Sequence, residues 1–330
     1  MRADILRQLI RAHAEGDEPA FRKAALQLAA AESAAGHTKI ADDLRRELAE
    51  LPPASRRASV VDIAHPRGEL ADVLEGGYRE ERLRDIVLDD ATHGQLAGIV
   101  RENRARAMLE RHGVEPRRKL LFFGPPGCGK TLAASVLAGE MGLPLMTARL
   151  ASLFSRFLGA TANHLRSVFA EMVRRPGVYL FDEFDSIVQA RADSNDVGEL
   201  RRVATAFLQL LETDASPSLV IAATNHPELL DRAVFRRFDL FVSFSPPSSA
   251  EIAKLLHLRL QRLGIGLDDA QAVATVGVGL SYADVARACD DAIRSMVLEG
   301  RQALDADSVR RAFEAARSRG ETQQGFQSRS

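Results

Sequence analysis

Residues 117–135 read RRKLLFFGPPGCGKTLAAS. An almost wholly apolar run, Lys119 to Phe123, breaks into a stretch dense in glycine and proline, and an Ala- and Leu-rich segment follows. Few architectures accept that order: a buried strand, a loop that needs unusual backbone angles, then a helix. Gly124, four residues, then Gly129-Lys130-Thr131 has the phosphate-binding spacing G-x-x-x-x-G-K-[ST]. Glycines let successive N–H groups turn inward without a Cβ clash, and the helix N-terminus behind them adds its partial positive charge. Lys130 brings a mobile positive charge to the terminal phosphates, and the Thr131 hydroxyl is a hard oxygen ligand for Mg²⁺. The predicted contacts to ATP in this loop are Gly124, Pro125, Pro126, Gly127, Cys128, Gly129, Lys130, Thr131 and Leu132. Cys128 is expected to serve through its backbone N–H alone, because the chemistry does not ask for a thiol.

A phosphate loop of this kind needs a second strand that bears a carboxylate near the metal. Val178-Tyr179-Leu180-Phe181 is an apolar strand, and Asp182-Glu183 stand at its end. Asp182 is predicted to hold Mg²⁺ and Glu183 to polarise the attacking water. Two acids at a strand end also occur as simple helix N-caps; the apolar run ahead of them weighs against that here. Asp185, in the same loop, is either structural or an orienting group.

At 330 residues the chain is long enough for two or three domains. Residues 1–50 show helical periodicity, with Ile5, Leu6, Leu9 and Ile10 on one face and Phe21, Ala24, Ala25 and Leu28 on the next. They read as a small helical domain, either a solvated bundle or a docking module. A linker is expected over 51–77, where Pro52, Pro53, Pro66, Gly68, Gly76 and Gly77 recur. From 78 to 246 strands and helices alternate, which predicts a parallel sheet with helices on both faces. Strands are expected within MGLPLMTARL, GVYLFDEFD and SLVIAATN, and helices near 92–111, 163–174 and 199–212. Past Pro246-Pro247 only helical segments are predicted, at 248–263, 268–276, 281–299 and 305–317, forming a small lid over 247–318. The tail, 319–330, reads as loose. The fold class is therefore α/β of the P-loop type, with a helical lid after it and a small helical domain before it.

Composition narrows the function. Formal net charge is −1, so a broad basic surface for nucleic acid is not expected. Two cysteines, Cys128 and Cys289, exclude a disulfide scaffold and fit a reducing cytoplasm. No apolar run reaches the roughly 20 residues of a membrane span, and MRADILRQLIRAHAEGD does not read as a signal peptide. The wealth of Ala and Arg is compositional evidence for a high-GC bacterial genome.

The order GPPGCGKT, YLFDEFD, IAATN, FRRFD and GLSYADV resembles the AAA+ ATPases, and within them the AAA subgroup of katanin, spastin and related protein remodellers. The resemblance covers about residues 80–317 and leaves the first 75 outside it. It implies further roles. Asn225 matches the sensor that reaches the γ-phosphate or the water. Arg236 and Arg237 match paired arginine fingers, given to ATP held by a neighbouring subunit, and the absence of a Pro-Gly insert between them is similar to the katanin–spastin side. Gly279 and Ala283, in the G-x-S-x-A-D stretch, and Ile86 and Val87, in Asp85-Ile86-Val87, are implied to meet the adenine from opposite sides, with Ala283 where other relatives carry a sensor arginine. Ser155-Arg156-Phe157-Leu158-Gly159 resembles a pore loop in which Phe157, Leu158 and Gly159 grip extended polypeptide; a buried helical face made by Phe154, Phe157 and Leu158 is the competing reading. Residues 191–196 stand where a second pore loop is expected. The resemblance implies a homo-hexamer acting on protein substrates. A second reading is an ATP-gated switch whose N-terminal helices hold a separately encoded effector, a protease or nuclease. The chain has no H-E-x-x-H zinc pattern of its own.

Overall fold

The computed structural model describes residues 73–149, 161–185 and 197–327 apart from 268 and 302, with positions 24, 25, 27–31, 37, 42 and 43 nearer the N-terminus. The chain divides into two compact units, Met1–His65 and Pro66–Ser330. In the first, residues 24, 25 and 27–31 are helical, with Ala24, Ala25 and Ala29 buried. Most of the expected N-terminal helices lie outside the described residues, as do residues 51–72 of the expected linker.

The second unit holds a six-stranded sheet, β1 (Leu74–Tyr78), β2 (Lys119–Phe123), β3 (Pro144–Arg149), β4 (Val178–Asp182), β5 (Leu219–Thr224) and β6 (Leu240–Ser243). The strand order is β1-β3-β4-β5-β2-β6. Every pairing is parallel except β1 with β3. Strand β1 corrects the expected linker, since Leu74–Gly77 are sheet. Its sequence, LEGGY, lacks the apolar alternation that marks a half-buried strand. The short strand β6 was likewise not expected from the sequence. Both are edges, where only one side of the strand is paired.

The helices of this unit's α/β part are α1 (Asp90–Arg104), α2 (Arg106–Arg111), α3 (Lys130–Met141), α4 (Thr161–Arg174), α5 (Val197–Thr213) and the single turn α6 (Arg232–Phe235). Alternate side chains of each strand enter different cores, as the two-residue period of a strand demands. Leu121, Tyr179, Phe181, Val220 and Ala222 face α4 and α5. Leu120, Phe122, Val178, Leu180, Ile221 and Ala223 face α1 and α3. The first face is locked by aromatics: Phe207 of α5 meets Phe181 edge-on at 4.9 Å and Phe169 of α4 at 5.7 Å between ring centroids. Covering both faces explains the unbroken apolar runs of β4 and β5.

The remaining helices form the lid: α7 (Ser249–Leu263), α8 (Ala270–Val276), α9 (Tyr282–Leu298) and α10 (Ala306–Gln327). Ser248 caps α7 and Glu251 returns the bond to the Ser248 N–H at 2.7 Å, a reciprocal cap that fixes where the helix starts. Ile252, Leu256 and Leu260 supply the buried stripe of α7, packed on Val285, Cys289 and Met296 of α9 and Phe313 of α10. Helix α10 continues to Gln327, so the loose tail expected from 319 is helical as far as that residue. From Arg317 to Gln327 the sequence is polar or glycine except for Phe326, which hid the continuation from a reading based on apolar period.

Candidate nucleotide site

Register brings the predicted site residues to one edge of the sheet. Phe123 pairs with Thr224, so the loop after β2 and Asn225 after β5 start side by side. Asp182 closes β4, two strands from β2. Ligand crevices of open α/β sheets lie at these carboxyl ends.

The loop owes its shape to glycine. Gly124 has φ 138°, and a Cβ there would stand 2.0 Å from the Phe244 carbonyl oxygen. Gly127 has φ 74°, and its Cβ would meet Ser281 Oγ at 2.5 Å. The first glycine lets the loop leave β2 against the chain that follows β6; the second lets it touch the N-cap of α9. Gly129, at φ 96°, caps α3. Cys128 points inward and is buried, its thiol pKa raised chiefly by burial.

Lys130 is 7% exposed. Its Nζ donates to the carbonyls of Gly124 at 2.6 Å and Pro125 at 2.9 Å, and to Asn225 Oδ1 at 2.7 Å. Burial lowers its pKa, while Cys128, Asp182 and Asp185 oppose that shift. The ammonium therefore rests in a dry, acceptor-lined seat where a polyphosphate would restore lost solvation. Beside it the Thr131 hydroxyl donates to Asp182 Oδ2 at 3.1 Å. A hydroxyl and a carboxylate oxygen so placed fit Mg²⁺, which takes one or two protein oxygens and keeps several waters. Glu183 is exposed and adopts φ 55°, an uncommon conformation for a non-glycine residue, with its N–H on Asp182 Oδ1 at 2.9 Å. Asp185 turns away from the cleft. Its Oδ1 accepts from Thr224 Oγ1 at 3.0 Å and from the Asn225 N–H at 3.4 Å.

The cleft encloses about 470 Å³ between this edge and the lid. Its lining includes Pro126, Gly127, Gly129, Lys130, Thr131, Leu132, Asp182, Glu183 and Asn225 from the α/β part, Ile86 and Val87 from the segment before α1, and Ala283 from the lid. The Ala283 N–H donates to the Gly127 carbonyl at 3.1 Å, tying lid to loop. Gly124, Pro125 and Cys128 shape the loop from behind and do not line the cleft. Gly279 also lies outside the lining; at φ 95° it turns the chain into α9. Arg236 is exposed, and Arg237 Nε donates to Glu212 Oε2 at 3.2 Å. Neither arginine lines the cleft of its own chain. Phe157, Leu158, Gly159 and the 191–196 segment lie outside the described residues. No helix among the described residues is long and apolar enough to cross a membrane.

Sequence reading missed the lid's side of the cleft: Leu255, Arg259, Tyr282 and Ala286 line it too. The signal was faint. Leu255 and Arg259, four apart on α7, form a second stripe beside the core stripe of Ile252, Leu256 and Leu260.

Residues 120–246 match the ATPase family associated with various cellular activities (AAA). An uncharacterized AAA family ATPase y4kL of Sinorhizobium fredii is 35% identical over 95% of this chain and 94% of its own length. The ATP-dependent zinc metalloprotease FtsH of Acidothermus cellulolyticus is 34% identical over 80% of this chain, which spans 39% of that protein. Spastin of Drosophila willistoni is 33% identical over 73% of this chain, which spans 32% of it. A phosphate loop with a buried lysine, paired acids at the end of β4 and end-to-end likeness to a family ATPase lead to one conclusion: the chain belongs to the AAA family and is an ATPase, hydrolysing ATP.

Proposed function

We propose that this ATPase works as a head-to-tail ring that remodels protein by drawing it through a central pore. The carrying observation is that one chain supplies the phosphate seat, the metal oxygens and the acid beside them, yet keeps Arg236 and Arg237 off its own cleft. An exposed Arg236, with the half-buried Arg237 beside it on Glu212, complements a nucleotide held by the next copy, and head-to-tail contacts of this kind close into rings. In this reading Lys130 neutralises the terminal phosphates, Glu183 polarises water, and Asn225 aims its amide at the transferred phosphoryl group. Mg²⁺, held by Thr131 and Asp182, would supply charge neutralisation between the phosphates. Phe157, Leu158 and Gly159 would grip substrate. Names among the relatives support remodelling of protein: FtsH is a metalloprotease that depends on ATP. Protein substrates and a cytoplasmic site of action belong to this reading.

Mixing decides the seam. Glu183→Gln protein is expected to bind ATP and hydrolyse it about 10²–10⁴-fold more slowly. Arg236→Ala/Arg237→Ala protein should be nearly inactive alone. Mixed with Glu183→Gln protein, it should regain turnover, because intact fingers then face an intact site. No recovery on mixing, together with full turnover at dilutions where only single chains exist, would sink the proposal. The separate N-terminal unit favours a second element of function, a docking module for substrate or for an effector. Deleting residues 1–65 should keep ATP hydrolysis and lose the partner trapped by full-length Glu183→Gln protein with ATP.

A further inference from the structure

Away from the cleft, a network of charged side chains surrounds the start of β2 and holds the arginine turn in place. Arg118 and Lys119, where β2 begins, reach two other segments. The first is the end of α5. Arg118 bonds both the carboxylate and the backbone carbonyl of Asp214, and Lys119 Nζ donates to the Glu212 carbonyl at 3.4 Å. Carbonyls at a helix C-terminus lack partners within the helix, and its dipole favours cations there. The second is the start of β6. Asp239 Oδ2 accepts the N–H groups of Arg118 and Lys119, each at 2.9 Å, and the Asp239 N–H donates to the Lys119 carbonyl at 2.7 Å. Phe238, between that anchor and Arg237 in the sequence, is 6% exposed and sits in the core. Arg237 therefore leaves a backbone that is fixed within two residues.

Glu212 closes the circuit between the two segments. Its carboxylate, one residue before the end of α5, accepts from Arg237 Nε at 3.2 Å. The Glu212 side chain is 63% exposed and that of Arg237 27%, so the pair adds little to the stability of the fold. Its consequence is direction. A guanidinium presents its donors in one rigid plane, and a carboxylate on the Nε edge sets where that plane points. A long side chain that docks on another molecule loses rotamer freedom, and holding it beforehand reduces that loss.

We propose that Glu212 is a positioning residue for ATP hydrolysis in the next subunit: anchored with the end of α5, it aims the Arg237 guanidinium for the seam before the neighbouring copy docks. This rests on the head-to-tail reading above and adds to it a residue that touches no nucleotide.

The test places one substitution on each side of the seam in turn. In the reference mixture, Glu183→Gln chains give the fingers and Arg236→Ala/Arg237→Ala chains hold the hydrolysing site. Adding Glu212→Ala to the Glu183→Gln chain is expected to lower the recovered turnover about two- to fivefold, the factor that an exposed ion pair can supply. Adding it instead to the chain without fingers removes nothing that this chain gives, and recovery should equal the reference. Glu212→Gln, which keeps an acceptor and loses the charge, should fall between on the finger-giving side. If Glu212→Ala does not fold, Glu212→Gln decides by the same comparison. Equal loss from both placements would mark general damage to α5 and overturn the proposal. Recovery that neither placement alters would overturn it as well, with the seam intact. A reference mixture that recovers no turnover would overturn the seam itself and this inference with it.

Discussion

Asp185 offers the sharpest test of how the site is held together. Its carboxylate bonds the Thr224 hydroxyl at 3.0 Å and the Asn225 N–H at 3.4 Å, and Asn225 Oδ1 in turn accepts from Lys130 at 2.7 Å. Thr224 is 1% exposed, so no water replaces a lost acceptor. A hydrogen bond to a charged group contributes about 1.5–3 kcal/mol, and Asp185→Ala should lower unfolding free energy in urea by about that much. Kinetics separate structure from positioning. If Asn225 stabilises the transferred phosphoryl group, Asn225→Ala should slow kcat about 10²–10³-fold, as loss of one preorganised donor does elsewhere. Asp185 acts on the reaction only by holding that residue, so Asp185→Ala should slow kcat too, and the two losses should not multiply. Their coupling is expected in the range of about 0.5–3 kcal/mol that neighbours in one network show. Asp185→Asn keeps an acceptor oxygen and should retain most of kcat. Multiplying losses, or wild-type kcat in Asp185→Ala, would refute the reasoning.

Three further outcomes follow from the geometry. Burial lowers the Lys130 pKa below its ordinary 10.5, so between the lowered value and 10.5 the unfolded chain binds more protons, and this group's contribution to stability rises with pH across that window. Bound polyphosphate reverses the shift; ATP binding should therefore take up protons there and weaken as pH rises, which calorimetry in two buffers of different ionisation enthalpy will show. Gly127→Ala puts a Cβ 2.5 Å from Ser281 Oγ at φ 74°; left-handed strain of about 1–2 kcal/mol plus the clash should part the lid from the loop and raise the ATP dissociation constant about tenfold or more, since 1.4 kcal/mol is tenfold. Arg118 and Asp214 form a pair whose side chains are 10% and 2% exposed. Asp214→Ala keeps the backbone carbonyl that Arg118 also bonds but leaves the buried guanidinium without its carboxylate, and should cost up to about 3–5 kcal/mol in a urea melt.

The legible parts of the sequence were those where local chemistry and position coincide. β2 with its glycine loop, and β4 with Asp182 and Glu183, announce themselves because a buried parallel strand is an unbroken apolar run and its site residues follow at once. β1 was illegible because LEGGY offers little apolar pattern, and β6 because LFVS is only four residues long; both edge strands acquire their form by pairing, with β3 and β2. Asp185 remained ambiguous because its partners, Thr224 and Asn225, are forty residues away and reach it only through sheet register. Arg259 was hidden for a related reason. On α7 it reads as one more polar residue beside an apolar stripe, and only the packing of α7 on α9 shows that its side of the helix looks into the cleft.

That division bears on how the two walls of the cleft stay together. The α/β part holds the phosphate end through Lys130, Thr131 and Asp182, while the lid contributes Leu255, Arg259, Tyr282 and Ala286. Between the walls run the Ala283–Gly127 backbone bond and an Arg262–Asp85 ion pair. The Arg262 side chain is 59% exposed, so that pair contributes about 0–1 kcal/mol at most. A backbone bond adds about as much in net terms. Direct polar ties of this strength are comparable with the differential affinity of a nucleotide that touches both walls. A ligand with that reach can therefore set the lid's angle by binding one arrangement better than another. Inorganic tripolyphosphate, confined to the loop, lacks the reach. Protection of α9 amides from hydrogen exchange should increase with ATP and not with tripolyphosphate; equal protection by both would place the coupling in the loop alone.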